Sequence, residues 1–145
     1  MLKRNTSYFC ILLMFLFCAV THVRAEGNYR IVAHPSVSES GISKNYLRAI
    51  FSMRLRTWQN GLIIKVFVLP DDHKLHHKFS KEQLNLFPYQ LRQSWDRLVF
   101  SGTGQAPTTV SSNEEMLTRI KNTPGAIGYL ETTYINGEVH VLQIK

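Results

Sequence analysis

The sequence predicts an α/β domain in which a mixed sheet is flanked by helices and ends in a C-terminal β-hairpin. Strand-like and helix-like runs alternate along the chain, which is typical of a sheet covered by helices. Leu62–Leu69 is apolar and rich in β-branched residues, a pattern that favours a strand buried on both faces, as in parallel sheets. Asn136-Gly137 is a strong turn signal between Thr132–Ile135 and Glu138–Ile144.

The first segment, residues 1–25, has the features of a secretory signal peptide. Two basic residues precede the apolar run Phe9–Val20, and the small residues Val23 and Ala25 suit a cleavage site. The run is short of the roughly 20 residues that span a bilayer. The sequence therefore predicts export to the periplasm with cleavage after Ala25, and retention as an N-terminal anchor is the alternative. Residues 26–145 form the predicted domain.

The composition of that domain narrows its chemistry. Both cysteines, Cys10 and Cys18, lie in the predicted signal peptide, which excludes disulfides and cysteine-ligated metals from the exported part. Without its first 25 residues the chain has 14 basic and 10 acidic residues. These charges are scattered, so they favour an anionic ligand only mildly and predict no nucleic-acid binding. About 120 residues suffice for one core and hence one domain.

The first half of the domain is predicted to begin with a strand and a helix. Tyr29–His34 is a short β-like run that ends at Pro35. Ser43 is suited to be the N-cap of a helix with apolar residues at helical spacing up to Phe51. After the buried strand, Asp71 or Asp72 is expected to cap a helix, and the following Ser80 with Gln83 suggests a second capping box.

The second half is predicted to contain two more helices and a strand. A helix begins near Pro88 and ends at Gly102, and its inner face is expected to consist of Leu91, Trp95, Leu98 and Val99. Ser112 or Asn113 is expected to cap another helix, with acidic residues in its first turn. Ala126–Leu130 is the next strand.

The densest polar cluster is Asp71–Lys78, and three interpretations of it remain open. On a helix, His73, His76 and His77 would share one face and, with Asp72, could bind a metal ion such as zinc. Histidine spacing alone is a weak signal, so the second interpretation is a solvated helix face. The third uses position, because the cluster follows a strand and opens a helix.

The third interpretation predicts an anion site. Ligands of open α/β sheets bind at the carboxyl ends of strands, and helix N-terminal amides favour anions. Lys74 and a protonated histidine would assist, whereas Asp71 and Asp72 would oppose an anion. The sequence leaves this conflict unresolved.

Ser101–Gln105 is rich in glycine and hydroxyl groups. It is either a phosphate-cradling loop or the glycine-terminated end of a helix, and it lacks the Lys-Ser/Thr pair of a nucleotide P-loop. The sequence has no nucleophile elbow, no paired catalytic carboxylates and no histidine-zinc signature. It therefore predicts a protein that is not an enzyme and needs no cofactor.

Several segments together resemble the periplasmic phosphate-binding proteins, the substrate-binding subunits of phosphate ABC transporters. Thr123-Pro-Gly-Ala-Ile-Gly-Tyr129 matches that family's stretch of the same residues and is the most specific feature. Ile42–Phe51, followed by Thr57-Trp58, is similar to a second family segment, and the region from Trp95 to Pro107 is similar to short exported relatives. The resemblance implies a periplasmic-binding-protein fold reduced to a single lobe.

One departure from the family bears on the ligand. The phosphate-gripping Arg-Ser-Asp-Gly-Ser-Gly-Thr run of the family falls where this chain has Leu69–His76, which lacks those glycines and hydroxyls. The resemblance therefore implies the fold, and phosphate binding does not follow from the motif.

These observations predict an exported, non-enzymatic binding protein for phosphate or another small oxyanion. Its candidate ligand-binding residues lie after the first and third predicted strands: Ser36, Ser38, Asp72, His73, Lys74 and His76. The alternative is a protein-interaction or sensor-accessory module that has lost ligand binding. Such a module would dock on a membrane transporter, a receptor or a second copy of itself.

Overall fold

The computed structural model describes residues 28–145, so the predicted signal peptide and the domain boundary at residue 26 lie outside the described residues. The strands are β1 (Tyr29–Ala33), β2 (Gly41–Ile42), β3 (Lys65–Val68), β4 (Thr108–Thr109), β5 (Ala126–Glu131) and β6 (His140–Ile144). The helices are α1 (Lys44–Phe51), α2 (Lys74–Phe79), α3 (Pro88–Phe100) and α4 (Asn113–Asn122). A π-helical turn, Ser80–Leu84, continues α2, and a 3₁₀ helix, Thr132–Tyr134, follows β5. The predicted α/β class is confirmed.

The six strands form one mixed sheet in the order β2-β6-β1-β5-β3-β4. β3 runs parallel to both β4 and β5, as its continuous apolar sequence predicted, while β1 is antiparallel to β5 and β6. The predicted C-terminal hairpin is wrong. A turn does form at Asn136, whose Oδ1 accepts from Glu138 N at 3.1 Å. However, Thr132–Tyr134, which the predicted hairpin needs in its first strand, forms the 3₁₀ helix, and β6 pairs with β1 and β2 instead. As a result, β1 lies between β5 and β6.

Side-chain caps position the helices. Ser43 Oγ accepts from Tyr46 N at 3.1 Å and Ser112 Oγ accepts from Glu115 N at 3.2 Å, which confirms both predicted N-caps.

The prediction for α2 is wrong at its first residue. Its N-cap is His73, whose Nδ1 accepts from Leu75 N at 3.1 Å, because the Asp71 carboxylate is bound by Arg92 instead. Ser80 starts no separate helix, since the chain continues from α2 into the π-helical turn.

The core lies between the sheet and the helices and includes most of β3, β5 and the first half of α3. Leu91 and Trp95 of α3 are fully buried. The prediction that Val99 faces inward is wrong, because Val99 is 49% exposed and the next residue, Phe100, is 87% exposed. Only the first turns of α3 therefore pack on the core. Within residues 28–145, every helix is too short or too polar to cross a membrane.

Candidate functional site

The polar cluster lies at the carboxyl edge of the sheet, as predicted. Because β3, β4 and β5 are parallel, their carboxyl ends meet at one edge, where open α/β sheets place ligands. The chain leaves β3 through Leu69 and Pro70, turns at Asp71 and Asp72, and enters α2 at Lys74. We refer to residues 70–76 as the carboxyl-edge loop.

His76 is the buried centre of this region. Its side chain is fully buried, and its Nδ1 lies 2.5 Å from the hydroxyl of Tyr129, a fully buried residue of β5. That hydroxyl also accepts from Leu69 N at 2.9 Å. The Tyr129 ring in turn stacks on Phe79, with ring centroids 4.0 Å apart. The network thereby connects the end of β3 to α2 and β5.

These contacts assign the proton on the imidazole. The buried Tyr129 O–H needs an acceptor, and among residues 28–145 His76 Nδ1 is the one within hydrogen-bond distance of it, so Nδ1 accepts and His76 carries its proton on Nε2. Within residues 28–145, Nε2 has no hydrogen-bond partner and lies 4.0 Å from Asp71 Oδ1. Burial lowers the pKa of His76 to about 4, against a smaller opposing effect of Asp71. His76 is therefore neutral at pH 7 and cannot act as a cation there.

Asp71 forms an ion pair with Arg92 of α3. Arg92 Nε and Nη2 each donate to one Asp71 carboxylate oxygen at 2.9 Å, and the guanidinium lies over the Trp95 ring, 5.0 Å from its centroid. The hydrogen bonds from Arg92 hold the pKa of Asp71 below its ordinary value. The pair compensates one of the two acidic charges that opposed an anion site.

The remaining charged groups of the loop are accessible. Asp72 and Lys74 are exposed and carry opposite charges, and the half-buried His73 uses its Nδ1 to cap α2. The carboxyl-edge loop with Arg92 is therefore close to neutral overall. What it offers a ligand is the Lys74 ammonium, one acceptor at Asp72 and the outer atoms of the Asp71–Arg92 pair.

Ser36 and Ser38 do not join this group. They follow β1, which is antiparallel to β5, so they lie at the opposite edge of the sheet, where β3 and β5 begin. Ser36 Oγ accepts from Gly125 N at 3.1 Å, directly before β5, and Ser38 Oγ donates to Glu39. The predicted six-residue site is thus divided, and only Asp72, His73, Lys74 and His76 share a location.

The alternative metal site is not formed. His76 is buried against Tyr129, His73 is engaged at the N-terminus of α2, and His77 is exposed. Within the described residues there is no group of three histidine, cysteine or acidic side chains placed to hold a metal ion.

The glycine-rich segment Ser101–Gln105 is the end of α3. The amides of Ser101, Gly102, Thr103 and Gly104 all donate to carbonyls of the last turns of α3, at 3.0–3.1 Å. Gly102 has φ of +69°, which a left-handed helix end favours. Because these amides are used, the structure supports the helix-end interpretation over the phosphate-cradling one.

Two residues of the site were missed from the sequence. Arg92 stands among polar residues of an amphipathic helix, and nothing local connects it to Asp71. Tyr129 belongs to the segment that carries the family resemblance, but its contact with His76 joins residues 53 positions apart. Its position in a buried strand was a signal that its hydroxyl needs a partner.

No family model and no curated protein matches the sequence. Among solved structures, the fold is similar to an ABC-type phosphate transport receptor from Vibrio cholerae, with a TM-score of 0.63, 13% identity, and coverage of 80% of this chain and 45% of that one. PstS from Borrelia burgdorferi matches with a TM-score of 0.63, 17% identity, and coverage of 81% and 47%.

A third similar structure is a putative phosphate ABC transporter substrate-binding protein with bound phosphate from Clostridium perfringens. Its TM-score is 0.63 at 12% identity, and the match covers 80% of this chain and 44% of that one. The chain thus spans less than half the length of these proteins. At this identity the likeness shows the fold, and it confirms the resemblance at that level.

Proposed function

We propose that the protein is an exported, non-enzymatic binding protein that holds phosphate or a related oxyanion at its carboxyl-edge loop. The observation that carries the proposal is the Asp71–Arg92 ion pair, which resolves part of the conflict seen in the sequence. Asp71 no longer opposes an anion as a free charge, because Arg92 binds it through two hydrogen bonds of 2.9 Å. Lys74, at the start of α2, supplies the attracting charge.

The acidic residues that remain would select the form of the anion. A carboxylate repels a fully deprotonated oxyanion, but it accepts a hydrogen bond from one that carries a proton. Asp72 is exposed next to Lys74, so the pair offers one acceptor and one cationic donor. Phosphate is protonated at neutral pH and fits this combination, whereas sulfate has no proton to donate.

The fold supports the site and the non-enzymatic role. The similar structures include one described as holding bound phosphate, and the carboxyl edge is where ligands of such sheets bind. Asp72 and Lys74 are exposed, so we expect weak binding, because a ligand there stays partly hydrated.

The test is thermal unfolding of the purified protein with phosphate, sulfate, zinc, nickel or buffer alone. Phosphate at a hundredfold excess over its dissociation constant should stabilise by about 2.7 kcal/mol, a rise of roughly 10 °C for a domain of this size. Sulfate should raise the midpoint temperature of unfolding less than phosphate does. No rise with phosphate would contradict the proposal.

Two variants locate the effect. Lys74→Ala should abolish most of the rise, and Lys65→Ala, an exposed lysine of β3, should retain it. The reverse result would place the anion away from the carboxyl-edge loop.

Export is tested separately by mass spectrometry of the native protein, which should begin at Glu26. A mass that includes residues 1–25 would contradict cleavage.

The second candidate function is protein interaction, here as self-association. The observation that favours it is that, among residues 28–145, four of the five large exposed hydrophobic residues lie on or beside α3: Phe87, Tyr89, Val99 and Phe100. The rings of Phe87 and Tyr89 stack, with their centroids 5.7 Å apart. Sedimentation should show a dimer that Phe100→Asp disrupts, and a monomer at all concentrations would contradict this candidate.

A further inference from the structure

The outer edge of β3, the edge that faces away from β5, is covered in two separate pieces. Before β3, the segment 56–58 pairs with 62–64, since Ile64 N donates to Arg56 O and Trp58 N donates to Leu62 O, both at 2.8 Å. At the end of β3, the two-residue strand β4 pairs in parallel, and Val110 N donates to Val68 O at 2.8 Å. The middle of the edge lies between these two partners.

Two backbone groups in that middle section have no partner among the residues that the structure describes. Lys65 N donates toward β5, to Gly125 O at 3.1 Å, so its neighbours Ile64 and Val66 direct their backbone groups to the outer edge. The Ile64 N–H is taken by Arg56. Nothing within residues 28–145 donates to Ile64 C=O or accepts from Val66 N–H. The Ile64 C=O and the Val66 N–H therefore remain as one acceptor and one donor, at the spacing at which a single residue of a neighbouring parallel strand would pair with both.

Ile64 and Val66, the residues that carry these groups, line a cleft of about 550 Å³, which is within the range of ligand-binding clefts. Its opposite wall is the segment 102–108, which follows α3, and Met53 and Ile63 add apolar surface. Ile63 is 61% exposed. An open strand edge beside an apolar side chain is the arrangement that captures extended peptides.

The charges of the cleft are of one sign. Arg56 and Lys65 line it, and among the described residues no aspartate or glutamate does. Arg56 Nη2 donates to Thr103 O at 2.6 Å and so connects the two walls. Lys65 is exposed and forms no ion pair with another described residue. Electrostatic complementarity therefore favours an acidic occupant.

We propose that this cleft binds a short, extended, acidic peptide segment of another protein, which adds one rung to the outer edge of β3. One residue of the segment accepts from Val66 N–H and donates to Ile64 C=O, while its carboxylates contact Arg56 and Lys65. From residue 63 to residue 67 a strand rises about 13 Å, so about three residues fit between the two existing partners. A small anion such as sulfate cannot replace the peptide, because it has no donor for Ile64 C=O.

The test is calorimetric titration with the peptide Ac-Glu-Val-Glu-Val-Glu-NH2, combined with NMR of the backbone amides. We expect saturable binding that shifts the Val66 amide. The matched peptide with lysine in place of glutamate should bind at least tenfold more weakly. An analogue methylated at every backbone nitrogen keeps the carboxylates but has no backbone donor. Its affinity should also be at least tenfold lower than that of the unmodified acidic peptide.

Two protein variants complete the test. Lys65→Glu should lower the affinity for the acidic peptide at least tenfold. If this charge reversal disturbs folding, Lys65→Gln serves in its place and should lower the affinity by a smaller factor. Arg97→Glu makes the same charge change at an exposed position of α3, and Lys74→Ala alters the carboxyl-edge loop; both should bind the peptide as the unmodified protein does.

Four results would overturn the proposal: no binding of the acidic peptide, equal binding of the lysine peptide, equal binding of the methylated analogue, or binding that leaves the Val66 amide unshifted. None of these results would affect the phosphate test, which depends on Lys74.

Discussion

The carboxyl end of β3 and its outer edge differ in what their polar groups leave available. At the carboxyl end, Asp71 is bound by Arg92, His76 by Tyr129, and His73 caps its own helix. Along the outer edge, Ile64 C=O and Val66 N–H have no partner within residues 28–145. In the described residues, the segment with the highest density of charged residues thus has several of its polar side chains paired, although His76 Nε2 has no partner. An apolar segment, by contrast, holds two unpaired backbone groups.

Charge density in a sequence is therefore a poor measure of how many hydrogen-bonding groups are free to bind a ligand. A polar side chain placed next to a core tends to find a partner, because leaving it buried and unpaired costs about 1–3 kcal/mol. Backbone groups occur at every residue, and whether they are free depends only on which neighbours the fold supplies. Four variants or conditions test this comparison.

The largest expected effect is that of Gly125→Ala, which disturbs the cleft side. Gly125 has φ of +76°, and an added Cβ would overlap the Ile63 carbonyl. Its own carbonyl accepts from Lys65 N and from Trp58 Nε1. Because the clash is with backbone, we expect a loss of about 3 kcal/mol or more in the free energy of unfolding, measured in urea.

The control for this variant is Gly137→Ala, where an added Cβ meets nothing within 4 Å. It should change the free energy of unfolding by less than about 0.5 kcal/mol. Equal effects of the two substitutions would show that the Gly125 backbone is free to adjust.

The second effect is the loss of stability in acid, which tests the carboxyl-edge side. Burial lowers the pKa of His76 to about 4, whereas the ring titrates near its ordinary value of 6.5 in the unfolded chain. Between these values the unfolded state binds the proton and the folded state does not. Stability is therefore present above pH 6.5 and is lost as the pH falls toward 4, by about 3 kcal/mol.

Urea unfolding at pH 7, 5 and 4 measures this loss. The exposed His77 serves as a control, since His77→Gln should retain the dependence, and His76→Gln should remove most of it. Asp71 acts in the same direction at lower pH, because its pKa is below its ordinary value and its ion pair is lost as it is protonated. A flat profile from pH 7 to 4 would contradict the assignment of His76 as buried and neutral.

Tyr129→Phe is expected to have the third largest effect. It removes the hydroxyl that joins Leu69 N to His76 Nδ1, leaving buried groups unpaired at a cost of about 2 kcal/mol. Tyr89→Phe removes a hydroxyl from a residue that is 60% exposed and should be nearly neutral. Calorimetric unfolding of both variants gives the comparison, and a neutral Tyr129→Phe would mean that water replaces the hydroxyl.

The smallest expected effect is that of Asp71→Asn. Both partners of the Asp71–Arg92 pair are more than a third exposed, so solvent screens the interaction and its loss should cost less than about 1 kcal/mol. Asp72→Asn, at an exposed neighbour, should cost still less. A loss of 3 kcal/mol from Asp71→Asn would show that the carboxyl-edge loop depends on this pair far more than its exposure indicates.

The segment with the most specific family resemblance, Thr123–Tyr129, has a packing explanation. A Cβ at Gly128 would lie 2.6 Å from Met116 Sδ and 2.8 Å from Ile120 Cδ1, so α4 packs directly against this strand. Gly125 and Tyr129 are held by the contacts described above. The segment therefore maintains the fold, and its presence says nothing about which ligand the protein binds.

Local features of the sequence determined much of the fold. Ser43 and Ser112 cap their helices because a hydroxyl and the amides it accepts from lie within three residues of each other. The apolar run of β3 predicted a strand with parallel neighbours, since a strand buried on both faces has no polar alternation. These properties depend on residues adjacent in the chain, so the sequence was sufficient for them.

Strand order and the composition of the site were decided only by the tertiary structure. The Asn136-Gly137 turn gave no sign that β1 would lie between β5 and β6. The direction of β1 then carried Ser36 to the edge opposite His76 and separated the predicted site. The pairs Asp71–Arg92 and His76–Tyr129 join residues 21 and 53 positions apart. Such contacts follow from how whole strands and helices pack, which no local pattern of residues encodes.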